Sequence, residues 1–110
     1  MSGFSVPQLS VQDAATLLKS NPAAKLLDVR TEEEYSTARI PGSTLVSREE
    51  LLAEILKLPR DTPLVVHCHH GMRSARAVEY LRQIGYRHVQ NLTGGIDAWS
   101  AEIDPSVPVY

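Results

Sequence analysis

The chain has 110 residues, 43% of them hydrophobic, and a formal net charge of -2. This length is typical of one domain, residues 1–110, with a core that needs no disulfide or metal. The slight negative charge argues against a nucleic-acid partner, and no run reaches the roughly 20 apolar residues of a membrane span. No basic stretch followed by an apolar run marks a signal peptide, and a single cysteine suits a reducing compartment. We therefore expect a cytoplasmic protein.

The N-terminal half alternates amphipathic helices with short apolar strands. Ser10 is the predicted N-cap of a first helix, and residues 24–29 are predicted to form a buried strand. Thr31 opens a second capping box, and the three glutamates after it are expected to lie in solvent at the start of a helix. A strand over residues 43–46 and a third capping box at Ser47 follow.

The C-terminal half continues the alternation of strand and helix. Residues 64–67 are apolar without alternation, as in a central strand covered on both faces. A helix is predicted from Ser74 until Gly85 ends it, followed by a strand over residues 89–92 and a short helix in which Trp99 packs against the sheet. This order predicts an α/β fold with a mostly parallel sheet and helices on both faces.

The loop of residues 68–74 joins the central strand to the next helix, at the sheet edge where parallel sheets place their sites. A tight loop there would aim backbone N–H groups at the Cys68 sulfur, and the helix N-terminus adds partial positive charge. Gly71 permits a backbone conformation closed to other residues, and Arg73 is a permanent cation beside the same pocket. Such surroundings lower the pKa of a thiol, so Cys68 is predicted to be a nucleophile rather than an inert core residue.

Four residues separate Cys68 from Arg73 in a Cys-x-x-Gly-x-Arg pattern. This loop resembles that of the rhodanese-like sulfurtransferase family, whereas protein tyrosine phosphatases place five residues there. The early Asp-Val-Arg at residues 28–30, followed by Glu33-Glu34-Tyr35, resembles a family signature. The Ile-Pro-Gly turn at 40–42 and the closing Leu-x-Gly-Gly-x-x-Ala-Trp at 92–99 resemble further family motifs. The resemblance therefore covers nearly the whole chain and implies the rhodanese-like α/β fold, with a mostly parallel five-stranded sheet and helices on both faces.

The resemblance also implies a mechanism. Cys68 would take the sulfane sulfur of a small donor such as thiosulfate, or of a protein persulfide, and pass it from a persulfide to a thiophilic acceptor. Arg73 would bind anions and stabilise charge, while Asp28 and Arg30 would form a buried pair that braces the loop. No metal and no organic cofactor is expected. The substrate-binding residues would be His69, His70, Gly71, Met72 and Ser74.

Several alternatives stay open beside this hypothesis. The histidines around Cys68 suggest zinc, but four consecutive residues, 67–70, cannot converge on one tetrahedral ion. A phosphatase or arsenate-reductase relative is disfavoured by the loop length, and a non-catalytic interaction module by the presence of the cysteine. The tail, residues 101–110, resembles rhodanese domains attached to ubiquitin-activating-like adenylyltransferases. That likeness implies a sulfur-carrier protein as a partner, with the chain either a stand-alone protein or one domain of a longer one.

Overall fold

A computed structural model describes residues 6–110, and its centre is one five-stranded sheet. Residues 1–5, on which the expectation of no signal peptide rests, lie outside the described part. The strands, in order β1-β5-β4-β2-β3, are parallel at every pairing. This confirms the predicted α/β fold. The strands are β1 (Gln8–Leu9), β2 (Lys25–Asp28), β3 (Thr44–Leu45), β4 (Leu64–His67) and β5 (Val89–Leu92).

Helices cover both faces of the sheet, and successive strand residues pack against opposite layers because they point to opposite sides. The helices are α1 (Val11–Ser20), α2 (Glu32–Thr37), α3 (Glu49–Ile55), α4 (Met72–Gln83) and α5 (Gly95–Glu102). Leu26 and Val65 lie in the core cluster shared with α1 and α5, whereas Leu27 and Val66 lie in the cluster shared with α3 and α4. Trp99 belongs to the first cluster, as predicted. Within residues 6–110, no helix has the length and apolar character to cross a membrane.

Two of the three predicted helix caps are confirmed. The Ser10 side chain accepts a hydrogen bond from the Asp13 N–H, and Thr31 forms a complete capping box. The predicted box at Ser47 is wrong, because the N-cap of α3 is Arg48 and it makes no side-chain cap bond. The Arg48 N–H donates to the Leu45 carbonyl in a turn that precedes the helix. The N-cap is therefore Arg48, one residue later than the predicted Ser47.

Two further boundaries differ from the prediction. The edge strand β1 was not predicted, since two residues are too few to show a period. Helix α4 begins at Met72, two residues before the predicted Ser74, because Gly71 with φ 118° turns the chain directly into the helix. This early start matters for the site, since it brings the first-turn N–H groups of α4 close to the residue after β4.

Candidate active site

Cys68 follows the central strand directly and is 1% exposed. The Gly71 N–H donates to its sulfur at 3.1 Å and the Ser74 N–H at 3.4 Å. The Ser74 hydroxyl lies 3.4 Å from the same sulfur. The sulfur therefore sits in a cradle made by the loop and the first turn of α4, where helix N–H groups lack partners of their own.

The cradle changes the acidity of the thiol. Burial alone would raise the pKa of Cys68, because it disfavours the charged form. Hydrogen bonds from the Ser74 side chain and from the backbone of Ser74, Gly71 and Arg73 outweigh burial, so the pKa of Cys68 lies below its ordinary value. A thiolate favoured in this way is the nucleophilic form of cysteine.

Helix α5 supports the loop from below through its N-terminus. The Ile96 N–H donates to the Cys68 carbonyl at 2.9 Å, and the Asp97 N–H donates to the His69 carbonyl at 3.3 Å. Gly95, at φ 61°, lies so close that an added Cβ would stand 2.4 Å from the Cys68 carbonyl oxygen and 2.5 Å from that of His69. A glycine is therefore required where the helix meets the loop.

The Arg73 side chain forms a bidentate ion pair with Glu34. Arg73 Nη1 donates to Glu34 Oε1 at 2.7 Å, and Nη2 donates to Oε2 at 2.9 Å. The prediction that the glutamates after Thr31 lie in solvent is wrong for Glu34, whose side chain is 21% exposed. It holds for Glu32 and Glu33, which are exposed.

A hydrogen-bonded chain links this pair to the sheet. The Tyr110 hydroxyl donates to Glu34 Oε2 at 2.9 Å and accepts from Arg30 Nη1 at 2.8 Å. Arg30 in turn forms an ion pair with Asp28 at 2.7 Å, and both side chains are fully buried. The predicted pair of Asp28 and Arg30 is thus present. It reaches Arg73 through Tyr110 and Glu34, which belong to two family-like motifs but were assigned no role in the site.

A model of the rhodanese-like domain family matches residues 10–102 of this sequence. The chain belongs to the rhodanese-like domain family. A solved structure of a rhodanese-related protein from Thermoplasma volcanium superimposes with a TM-score of 0.72 at 34% identity, covering 94% of this chain and 99% of that one. The rhodanese fold expected from the motifs is therefore confirmed.

Relatives of this rhodanese-like domain fall into two kinds by length. Thiosulfate sulfurtransferase GlpE of Tolumonas auensis is 32% identical over 99 residues, which cover 90% of this chain and 91% of GlpE. Adenylyltransferase and sulfurtransferase uba4 of Ogataea parapolymorpha is 36% identical over 94 residues, which cover 84% of this chain but only 24% of uba4. Relatives named sulfurtransferases support sulfur transfer as the general activity.

The two histidines of the rhodanese-like loop lie at its outer side. The His69 ring stacks between His70, with centroids 4.0 Å apart, and Tyr110, at 4.1 Å. One ring nitrogen of His69, one of His70 and a carboxylate oxygen of Asp97 lie within 4.8 Å of one another. The two imidazole planes differ by only 18°, so their in-plane lone pairs run side by side and do not converge on one ion. This trio is therefore not a preformed metal site.

The remaining loop residues differ in their surroundings. Ser74 is fully buried, and its single hydroxyl proton faces two acceptors, Asn91 Oδ1 and the Cys68 sulfur, whereas the Met72 side chain lies in solvent. The Asn91 amide also donates to the Gly71 carbonyl at 3.2 Å. Asn91 thereby ties the two ends of the cradle to β5, a role that a single asparagine inside a strand pattern did not reveal.

His67 is a buried strand residue, as expected. Burial lowers its pKa to about 4, with Arg30 adding to the effect and Asp28 opposing it. The ring is therefore neutral near pH 7, and its Nε2 stands 3.7 Å from Asp28 Oδ2. His67 lies among packed groups and is not placed to receive a substrate.

We predict that Gly95→Ala destabilises the fold more than Gly42→Ala. Both glycines have positive φ, but nothing lies within 4 Å of a Cβ at Gly42. The close contact at Gly95 should cost roughly 1–3 kcal/mol beyond the backbone strain that the two variants share. Urea unfolding measures the difference. Alkylation of Cys68 by iodoacetamide should also slow in the Gly95→Ala variant, because the shifted loop withdraws N–H groups from the sulfur. Equal losses of stability in the two variants would show that the start of α5 and the loop are not in tight contact.

Proposed function

We propose that this rhodanese-like domain transfers sulfane sulfur through a persulfide on Cys68. The observation that carries the proposal is the cradle of N–H groups, with Gly71 at 3.1 Å and Ser74 at 3.4 Å from the sulfur. Preorganised donors of this kind stabilise charge on a sulfur atom without rearrangement during the reaction. In this proposal residues 1–110 form a single domain. A cytoplasmic location of the protein stays a prediction.

The reaction consists of two displacements at sulfur. The Cys68 thiolate attacks the outer sulfur of the donor; with thiosulfate, the S–S bond breaks and sulfite leaves with the bonding electron pair. The outer sulfur of the resulting persulfide then forms a bond with the acceptor, such as cyanide or a thiolate, while the Cys68 thiolate leaves with the electrons of the second S–S bond. No electrons are gained or lost overall, so the cycle needs no redox cofactor.

The residues around the sulfur have separate roles in this scheme. The N–H groups of Gly71 and Ser74 hold the anionic sulfur, and Arg73 contributes positive charge at the rim. His69 and His70 line the outer side where a donor or acceptor arrives, and the exposed Met72 offers an apolar contact there. We propose Asp28 and Arg30 as a brace for the loop, because they connect to it through Tyr110 and Glu34.

We also propose a protein partner for the sulfur. Thiosulfate as the donor is supported by the name of the GlpE relative, which this chain matches over nearly its full length. The uba4 relative, of which the chain spans about a quarter, combines an adenylyltransferase with a sulfurtransferase. Together with the tail motif, this supports the C-terminus of a sulfur-carrier protein as acceptor, with either a small donor or a protein persulfide as the source.

Intact mass spectrometry after incubation with thiosulfate tests the proposal. One sulfur atom, roughly 32 Da, should be added at Cys68, and a reductant or cyanide should remove it. The same preparation is assayed with p-nitrophenyl phosphate, because the four-residue spacing between Cys68 and Arg73 leaves a cradle too small for a phosphate group. Efficient phosphate release without persulfide formation would contradict the proposal.

A further inference from the structure

Arg73 is the only lysine or arginine in the loop of residues 68–74, and its charge is neutralised locally. Both oxygens of Glu34 accept hydrogen bonds from the Arg73 guanidinium, at 2.7 and 2.9 Å. An anionic donor that approaches Cys68 therefore meets an ion pair and not an isolated cation. The net charge beside the sulfur depends on a residue outside the loop.

Three contacts besides the Arg73 pair hold Glu34 in this position. The Thr31 N–H donates to Glu34 Oε1 at 3.1 Å, and the Thr31 hydroxyl donates to the same oxygen at 3.2 Å. The Tyr110 hydroxyl donates to Oε2 at 2.9 Å. The Arg73 hydrogen bond holds the pKa of Glu34 far below its usual range despite partial burial, so the carboxylate stays charged throughout the neutral range. Its negative charge is thus a permanent feature of the rim.

We propose that Glu34 determines donor specificity by opposing the charge of Arg73, so that the site disfavours small dianionic donors and favours sulfur donors with one negative charge or none, such as a persulfide on a protein. This inference rests on the proposed sulfur transfer. The physical reason is that the Coulomb energy of a donor beside Glu34 scales with the donor's charge, so a dianion is opposed twice as strongly as a monoanion. Glu34 holds the Arg73 guanidinium and changes the electrostatic potential at the sulfur. It is therefore a positioning residue and not a catalytic one.

Glu34→Gln isolates the charge from the structure. Glutamine serves at the third helix position of a capping box as glutamate does, so α2 should keep its start. Glu33→Gln is the matched control: it removes one negative charge from the same helix at an exposed residue. Two donors are compared, thiosulfate as a dianion and benzenethiosulfonate as a monoanion, each of which yields its sulfane sulfur to a thiolate.

The expected result is a change in the ratio of the two donors. In Glu34→Gln, kcat/KM for thiosulfate should rise about fivefold or more, mainly through KM, while the value for benzenethiosulfonate rises about twofold. The gain should shrink as ionic strength increases, and it should disappear in the Glu34→Gln, Arg73→Ala double variant. Glu33→Gln should leave the ratio within a factor of about two of the wild-type value, since its charge is screened by solvent. Glu34→Asp, with its carboxylate withdrawn by one methylene, should give an intermediate ratio.

An unchanged or lower ratio in Glu34→Gln, with the wild-type protein active on both donors, would overturn this inference and leave sulfur transfer standing. If the wild-type protein forms no persulfide with either donor, the proposed function itself fails, and that outcome is visible before any variant is made. Should Glu34→Gln not fold, Glu34→Asp provides the same comparison, and a ratio equal to that of the wild type would overturn the inference.

Discussion

Replacing Cys68 by Ser should abolish sulfur transfer, with a loss of at least about a thousandfold, while the fold is retained. A serine hydroxyl is not ionised at neutral pH and is a poor acceptor of sulfane sulfur. The variant should show no gain of roughly 32 Da after thiosulfate treatment, in contrast to the wild-type protein. Thiocyanate formation from thiosulfate and cyanide measures the rate, and intact mass measures the intermediate.

The stability of the Cys68→Ser variant serves as the control. The buried hydroxyl has the Gly71 N–H and the Ser74 hydroxyl as neighbours, so it need not lack a hydrogen-bond partner. The free energy of unfolding should therefore change by no more than about 1–2 kcal/mol. A Cys68→Ser variant that folds and retains most of the thiosulfate:cyanide activity would show that sulfur does not pass through Cys68.

Asp28→Ala should cause the largest loss of stability among single polar replacements in the site. It leaves the Arg30 guanidinium fully buried without its carboxylate partner, which lies at 2.7 Å. Breaking a buried ion pair typically costs about 3–5 kcal/mol, because the remaining charge stays buried without an opposite charge. Arg30 would keep neutral hydrogen-bond partners such as the Ala38 carbonyl and the Tyr110 hydroxyl. Urea unfolding followed by circular dichroism measures the change in the free energy of unfolding.

The matched control is Glu32→Ala, which breaks the pair with Arg48. The side chains of that pair are 58% and 42% exposed, and solvent screening leaves a pair exposed to this degree contributing little to stability. Asp28→Asn, which keeps the shape, is the fallback if the alanine variant does not fold. Equal losses in the Asp28 and Glu32 variants would mean that Arg30 finds another partner and that the buried pair does not brace this part of the fold.

Most of the fold follows from local patterns in the sequence. The capping box at Thr31 and the cap at Ser10 place two helix starts, since caps involve residues three apart. The unbroken apolar run of residues 64–67 predicted the central strand, which lies in the middle of the sheet. The alternation of strands and helices predicted the parallel sheet. The exceptions are β1 and the starts of α3 and α4, because a two-residue strand and shifts of one or two residues carry no periodic signal.

The position of Cys68 could also be predicted, because it depends on neighbours in the chain. A residue directly after a central parallel strand lies at the carboxyl edge of the sheet, and the first turn of the next helix supplies N–H groups from residues close by in the sequence. Gly71 indicated the tight turn, and its positive φ of 118° accounts for it. The assignment of roles to the loop residues stays a prediction that the variants above test.

Only the tertiary structure decided what surrounds Arg73. Its partner Glu34 lies 39 positions away, and Tyr110, which holds Glu34, lies 76 positions from it. Contacts of this range are made by the packing of separate helices and the tail, and no local spacing encodes them. A run of three glutamates after a cap is typical of a solvated helix start, and the family-like motif that includes Glu34 does not reveal its partner. The fold turns Glu34 toward the loop and pairs it with Arg73. The sequence predicts Cys68 as the nucleophile because the environment of its sulfur is made by chain neighbours, whereas the partner of Arg73 is decided where distant segments meet.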